Sequence, residues 1–457
     1  MSKRLRALGE RSGVMFFASL VAGVPLAGTF ACSRTELELG LPAPEPSVVL
    51  RPDAGPPIVH EDAGPPAPAA DAGPIVHADA SLASWCTPAL LQGAATPMAD
   101  FCSTRANLAP GPAPVAPSVA WQVSLPAPLT ENYDFALVVD DQGRTYTTGS
   151  LQGPTRSNTI VAIDEDGATA WSVALDGGGI RDFFLAADGT IHAHLDASLV
   201  VVGRDGKVQA TYPLPAGLWS VAVGQDGSLH SWITNSDFSQ IQFTRLSPTG
   251  VPLWTSAPID STFASEMALQ SDGHSVVVVY PPQAPERLLE LDENGNVVWQ
   301  MDVTVTVGDP AIAPDGTVRV VVGEIATTDP MHLLSIDRSG TTLWDTDLGV
   351  SPIEVWGSRL AIDQAGDTLV HWDGGVLAVG PDGVILWRKA FNETGNYAAF
   401  VGSNGIAVVC DGETYGIDMA TGATRWTLTQ NIYPPIALAP SGAIVGTLGG
   451  NVVLARD

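Results

Sequence analysis

Cysteine is scarce: four residues, at positions 32, 86, 102 and 410, in a chain of 457. No two are adjacent, and their spacing suits no zinc or iron–sulfur site. Positive charge is scarce too, with 21 Lys and Arg against 49 Asp and Glu and a formal net charge of −28. A surface this acidic repels phosphate backbones, which excludes nucleic acid as a partner. Long apolar runs are missing. The longest, Val14–Gly28, contains Pro25 and falls short of the ~20 residues a membrane-spanning helix needs. No Gly-x-Ser-x-Gly, His-Glu-x-x-His or phosphate-binding loop occurs, so the common nucleophile, zinc-protease and nucleotide signatures drop out.

What is present at the start is an export signal. Lys3, Arg4, Arg6 and Arg11 precede the apolar run, and small residues follow it, so residues 1–31 read as a signal peptide. Without them the balance is 17 basic against 48 acidic residues. The stretch Thr29-Phe30-Ala31-Cys32 resembles a bacterial lipobox, which implies acylation of Cys32. The same Thr-Phe-Ala also fits an ordinary signal-peptidase cut after Ala31. Lipidation at Cys32 predicts an exported protein anchored at the outer membrane, on its periplasmic face or at the cell surface. Residues 32–82 are rich in Pro, Ala and Asp, with "DAGP" three times and "PIVH" twice, and no aromatic residue. Such a segment cannot bury enough apolar surface to order itself and reads as a disordered tether. Residues 83–117 form a short collar bracketed by Cys86 and Cys102, which would suit a disulfide in an oxidising envelope, worth about 3 kcal/mol on the loop-entropy model. Cys410 sits inside "GIAVVC" and reads as a small buried hydrophobe.

From residue 118 the chain repeats itself. Trp occurs at 121, 171, 254, 299, 344, 387 and 426, and Tyr212 fills the one double gap. A period of 40–45 residues with strand-like content marks propeller blades. Each period carries a Gly in a tight inner turn, at 143, 189, 227, 273, 316, 366, 405 and 442, where positive φ is needed. Eight turns predict an all-β, eight-bladed propeller of four-stranded blades over 118–457. After Gly442 only two strands remain. The spare "VAWQVSL" (Val119–Leu125) therefore completes the eighth blade as its outer strand and removes the open edges of a linear array. The Trp at each period's end is expected to pack between blades, with no cofactor role.

"GETYGIDMATGATRW" (Gly412–Trp426) resembles the repeat of PQQ-like β-propellers, with Asp418, Thr421, Gly422 and Trp426 matching the repeat's Asp, Thr, Gly and Trp. The resemblance implies the propeller fold. It leaves function open, because this superfamily includes quinoprotein dehydrogenases, assembly-factor lipoproteins and scaffolds. A dehydrogenase of this type implies PQQ stacked on a Trp, a Ca²⁺ held by carboxylate and amide ligands, and a disulfide of adjacent cysteines; the chain has no such cysteine pair.

Local motifs favour packing over chemistry. His192 and His194 lie on one face of a strand, but the position three residues after the turn Gly holds Tyr146, His192, His230 and Arg319, which reads as a half-buried packing slot. His60 and His77 fall in the tether. "DENGN" (Asp292–Asn296) spaces oxygens as calcium loops do, yet sits where every blade turns. Counting back from the turn glycines places Phe135, Arg181, Asp182, Trp219, Ser265, Glu266, Asp309, Arg359 and Tyr397 around the propeller mouth. The expected function is therefore a non-catalytic, monomeric, lipid-anchored scaffold whose mouth binds an envelope protein or glycan, with no metal and no cofactor. The alternative is a PQQ- or metal-dependent oxidoreductase.

Overall fold

The computed structural model describes Ala109 and residues 111–457, except 126–136, 149–157, 187, 225, 305, 307, 324–329, 351–359, 373, 392–398, 431, 440 and 450, and except the side chains of 182, 183 and 433–435. Cys32, Cys86, Cys102, Phe135, Arg359, Tyr397 and the signal and tether segments lie outside the described residues, as does the Asp182 side chain.

Eight antiparallel sheets follow one another along the chain. Blade 1 runs from the inner strand Leu137–Val139 to the outer strand Thr169–Ala174, and blade 7 from Ala399–Val401 to Thr424–Leu428. Blade 3 adds a two-residue strand, Ile259–Asp260, beside its third strand. Second strands are buried on both faces and are mostly apolar, as in Ser275–Val279 and Val318–Val322, the latter interrupted by Arg319. Outer strands alternate in exposure, because only one face meets a neighbour. The core accordingly divides into seven clusters lying between successive blades, the largest spanning blades 7, 8 and 1.

The recurring Trp has a partner. Each outer-strand Trp except Trp426 lies over the outer-hairpin Gly of the next blade. A Cβ at Gly295 would stand 2.6 Å from the Trp254 indole, and one at Gly422 2.6 Å from Trp387. Gly167, Gly206, Gly340 and Gly383 receive Trp121, Trp171, Trp299 and Trp344 in the same way. The indole N–H then donates to that hairpin's backbone: Trp171 to Arg204, Trp254 to Glu293, Trp344 to Pro381 and Trp387 to Met419. Trp299 instead donates to the Glu290 carboxylate of its own blade. Blade 2, which has Tyr212, meets Gly250 mainly through Leu214.

Ring closure follows the expected route. Ser118–Val123 pairs antiparallel with Asn451–Arg456, placing Val119 opposite Ala455 and Val123 opposite Val452. The preceding residues add a clasp. Ala109 N–H donates to Val401 O and Ser403 N–H to Gly111 O. Ala113 exchanges two hydrogen bonds with the Asn404 side chain, at 3.0 and 2.8 Å. The Trp426 indole donates to Pro114 O, and Asp457 accepts from the N–H groups of Val115 and Ala116. Blade 8 ends in the C-terminal strand and has no outer hairpin of its own, so this segment receives Trp426 in its place. The last residues of the collar thus belong to the packed ring.

Candidate functional site at the connection face

A propeller has two unlike faces. One carries the short hairpins with their glycines; the other carries the links between second and third strands and between blades. On the hairpin side many polar groups have a structural task. Asp292 Oδ1 accepts the N–H groups of Asn294 and Asn296 at 2.9 and 2.8 Å, and its other oxygen accepts from the Asn296 amide, so "DENGN" is a turn with its carboxylate occupied. The packing slot is more deeply buried than its polar residues suggest. Tyr146 lies 5.7 Å from Trp171 and donates to Asp140 Oδ2 at 2.8 Å. His230 meets the edge of Trp254 and shares a hydrogen bond with Ser228. Arg319 is fully buried, with its guanidinium 4.7 Å from the Trp344 ring and bonded to the Thr317 and Ser335 hydroxyls. Each of these three packs on the outer Trp of its own blade.

Burial sets the electrostatics of these groups. It pulls His230 down to about 4 and His371 to about 3, and pushes the Cys410 thiol up to about 12. His192 is also lowered by burial, with Asp188 opposing. Burial, reinforced by Asp367, raises Asp363 to about 6. A thiol held so high is a packing group and no nucleophile. Among the described residues no three His, Cys, Asp or Glu side chains converge as a cation site.

The connection face carries the mouth residues. The Arg181 guanidinium pairs with Asp196 at 2.7 Å, and the Arg181 backbone N–H donates to His194 O. Asp182 opens the inner strand of blade 2. Trp219 is half-buried and stacks on Trp232, with centroids 5.1 Å apart and planes 7° from parallel. Phe263 meets both indoles edge-on, at 5.8 and 4.9 Å, and Tyr280 flanks Phe263. Sequence counting found Trp219 but not its three aromatic companions, which come from other strands and from blade 4. Ser265 is buried and bonds the backbone at Glu266 O and Val278 N. Asp309 Oδ1 accepts the Glu266 N–H at 3.0 Å, so it ties blade 4 to the approach of blade 5. Trp219, Phe263 and Tyr280 thus form a half-buried aromatic shelf packed on the buried Trp232 at blades 3 and 4.

Fold and repeat together define the class, an eight-bladed propeller of PQQ-like repeats. A family model described as "Outer membrane protein assembly factor BamB" matches residues 116–231 and 331–457, just over half of the chain. The chain belongs to that family. No curated protein matches it significantly. Among solved structures it is similar to the quinohemoprotein alcohol dehydrogenase of Comamonas testosteroni, with 11% identity, 83% of this chain and 81% of that chain covered, and a TM-score of 0.51. It is also similar to Saccharomyces cerevisiae Sqt1, with 8% identity, 76% and 99% covered, and a TM-score of 0.48. A virginiamycin B lyase from Staphylococcus aureus gives 13% identity, 75% and 99% covered, and a TM-score of 0.42. The likeness to the dehydrogenase shows the fold alone.

Proposed function

We propose that this protein is an exported, lipid-anchored envelope scaffold that binds a partner protein or glycan through the connection face of its propeller and performs no chemistry itself. The observation that supports this reading best is the shelf of Trp219, Trp232, Phe263 and Tyr280. Trp232 is buried and supports the other three, and half-exposed aromatic rings held by stacking are common anchors of binding surfaces. Membership of a family described by outer-membrane protein assembly agrees with an envelope setting. A photo-crosslinking residue placed at Trp219 should capture an envelope component that the same residue at Asn294, on the hairpin face, does not. Equal capture from both positions would refute the assignment. The anchor is tested separately: Cys32→Ser should move the protein from the membrane to the soluble envelope fraction. An unchanged distribution would leave export without lipidation. Incubation with PQQ and Ca²⁺ should give no bound-quinone spectrum and no alcohol-dependent dye reduction. Turnover in that assay would establish the oxidoreductase alternative instead.

A further inference from the structure

The chain joins the ring at the edge of its central channel. Gly402 N–H donates across its sheet to Ile406 O, so the polar groups of Val401, one residue earlier, face the other edge of blade 7's inner strand. That strand, Ala399–Val401, has one ladder partner, and its free edge lines the channel. On that edge Val401 O accepts the Ala109 N–H at 2.7 Å. Ala109 is fully buried and shares a core cluster with Leu137, Phe400 and Leu438 of the inner strands of blades 1, 7 and 8. From there the chain passes the inner turns. Ser403 N–H donates to Gly111 O, Asn404 bonds Ala113, and a Cβ at Gly442 would stand 2.8 Å from Pro112 O. Ala109 to Ala113 thus runs in the same direction as Val401–Asn404, out of the channel and onto the hairpin face.

We propose that residues 103–108, outside the described residues, thread the central channel and that residues 83–102 cap its connection-face mouth, a plug the chain supplies to its own ring. Followed backward from Ala109, the line of the chain leads along Ala399–Val401 toward that mouth. Arg105 comes four residues before Ala109. Glu266 and Asp309 come four residues before Gln270 and Ala313, which make in their own turns the two backbone bonds that Gly402 makes in blade 7. Arg105, the one cation between 83 and 108, therefore reaches the level of two mouth carboxylates. Most of the segment is apolar or small. It holds Trp85, Leu90, Leu91, Met98, Phe101 and Leu108 against a single acid, Asp100, and is too short to bury them by itself. The channel walls and mouth give them cover. The plug goes beyond the partner-binding role and stands whether or not the connection face binds; any partner reaching the mouth meets the plug first.

The test is thiol alkylation of the exported full-length protein. Neighbouring side chains of an extended segment point to opposite sides, so an outer surface shields one of them and a channel shields both. Ala106→Cys and Asn107→Cys, made singly, should each react with N-ethylmaleimide at least tenfold more slowly than Ala70→Cys in the tether, with the modified site identified by peptide mass spectrometry. The buried Cys410 reports in the same digest that the ring is folded. A fast reaction at either position in a folded ring overturns the threading. A second measurement leaves the cysteines and Arg105 alone. A photo-crosslinking residue at Thr104 should couple, within one chain, to the mouth segments that carry Glu266 and Asp309. Coupling to the hairpin turns or the outer strands, or only to other molecules, overturns the plug.

Discussion

A half-buried carboxyl in a hairpin turn of blade 6 works against the fold at neutral pH. Asp363 accepts N–H groups from Ala365 and Asp367, yet burial and the neighbouring Asp367 outweigh them and raise its pKa to about 6. A raised pKa means that the folded state holds the proton more tightly than the unfolded chain, whose Asp titrates near 4. The contribution is therefore favourable in full below about pH 4 and is lost as pH rises through about 6. Asp363→Asn keeps the turn acceptor and removes the charge. It should stabilise the protein at about pH 8 by up to about 3 kcal/mol and change little at about pH 4, as read by urea denaturation at the two values. His230 and His371 act in the opposite sense. Their depressed pKa values favour the fold above about pH 6.5, and that stability drains away as pH falls toward about 4 and about 3. His230→Gln should reduce the acid lability without altering stability at about pH 8 by more than about 1–2 kcal/mol. Equal acid sensitivity of variant and wild type would show that other groups dominate.

At the scale of the blade, the repeating element is a Trp on one sheet matched to a Gly on the next. Gly295 has φ of +82°, and a Cβ there would run into Trp254. Gly295→Ala therefore carries a backbone cost of about 1–2 kcal/mol, plus displacement of the indole. In a Trp254→Ala background only the backbone part remains. A double-mutant cycle should show coupling of at least about 1 kcal/mol between the two sites, and purely additive effects would mean that the hairpin accommodates both. The turn glycines, the Trp period and the spare first strand were legible in the sequence, because each answers a local requirement of turn geometry or strand count. The Trp–Gly match was not, since Trp254 and Gly295 are a blade apart and neither alone names the other. The slot was read correctly as packing, but Arg319 and His230 looked half-solvated. Full burial depends on hydroxyls from Thr317, Ser335 and Ser228 that only the folded sheets bring into range. The sequence offers Asp309 only as a candidate mouth residue, whereas its duty as acceptor for Glu266 N–H appears only once two blades sit side by side.

At the scale of the molecule, the ring is held at one seam by two devices that can be separated. The outer strand Ser118–Val123 completes the sheet of blade 8, and its Trp121 covers Gly167 of blade 1 and donates to Glu165 O at 2.8 Å. The clasp from Ala109 to Ala116 binds the turn of blade 7 through Asn404 and the C-terminus through Asp457. Removing the strand exposes the ladder edge of Asn451–Arg456 and uncovers the core cluster shared by blades 7, 8 and 1, which includes Val445, Val453 and Val139. An uncovered apolar edge is a template for association. Deleting Val119–Val123 should therefore lower the melting temperature markedly and yield oligomers on size-exclusion chromatography. Loss of the Trp121 side chain alone should cost about 3–5 kcal/mol if it is buried as fully as a core aromatic, and less in proportion to its half-exposed state. Asn404→Ala leaves the strand in place and removes two hydrogen bonds of the clasp, so it should cost only about 1–3 kcal/mol and leave the protein monomeric. If Asn404→Ala proved as damaging as the strand deletion, the clasp would be the true fastener of the ring; if deleting the strand left melting and oligomeric state unchanged, neither the pairing with Asn451–Arg456 nor the Trp121 contact would be holding the seam.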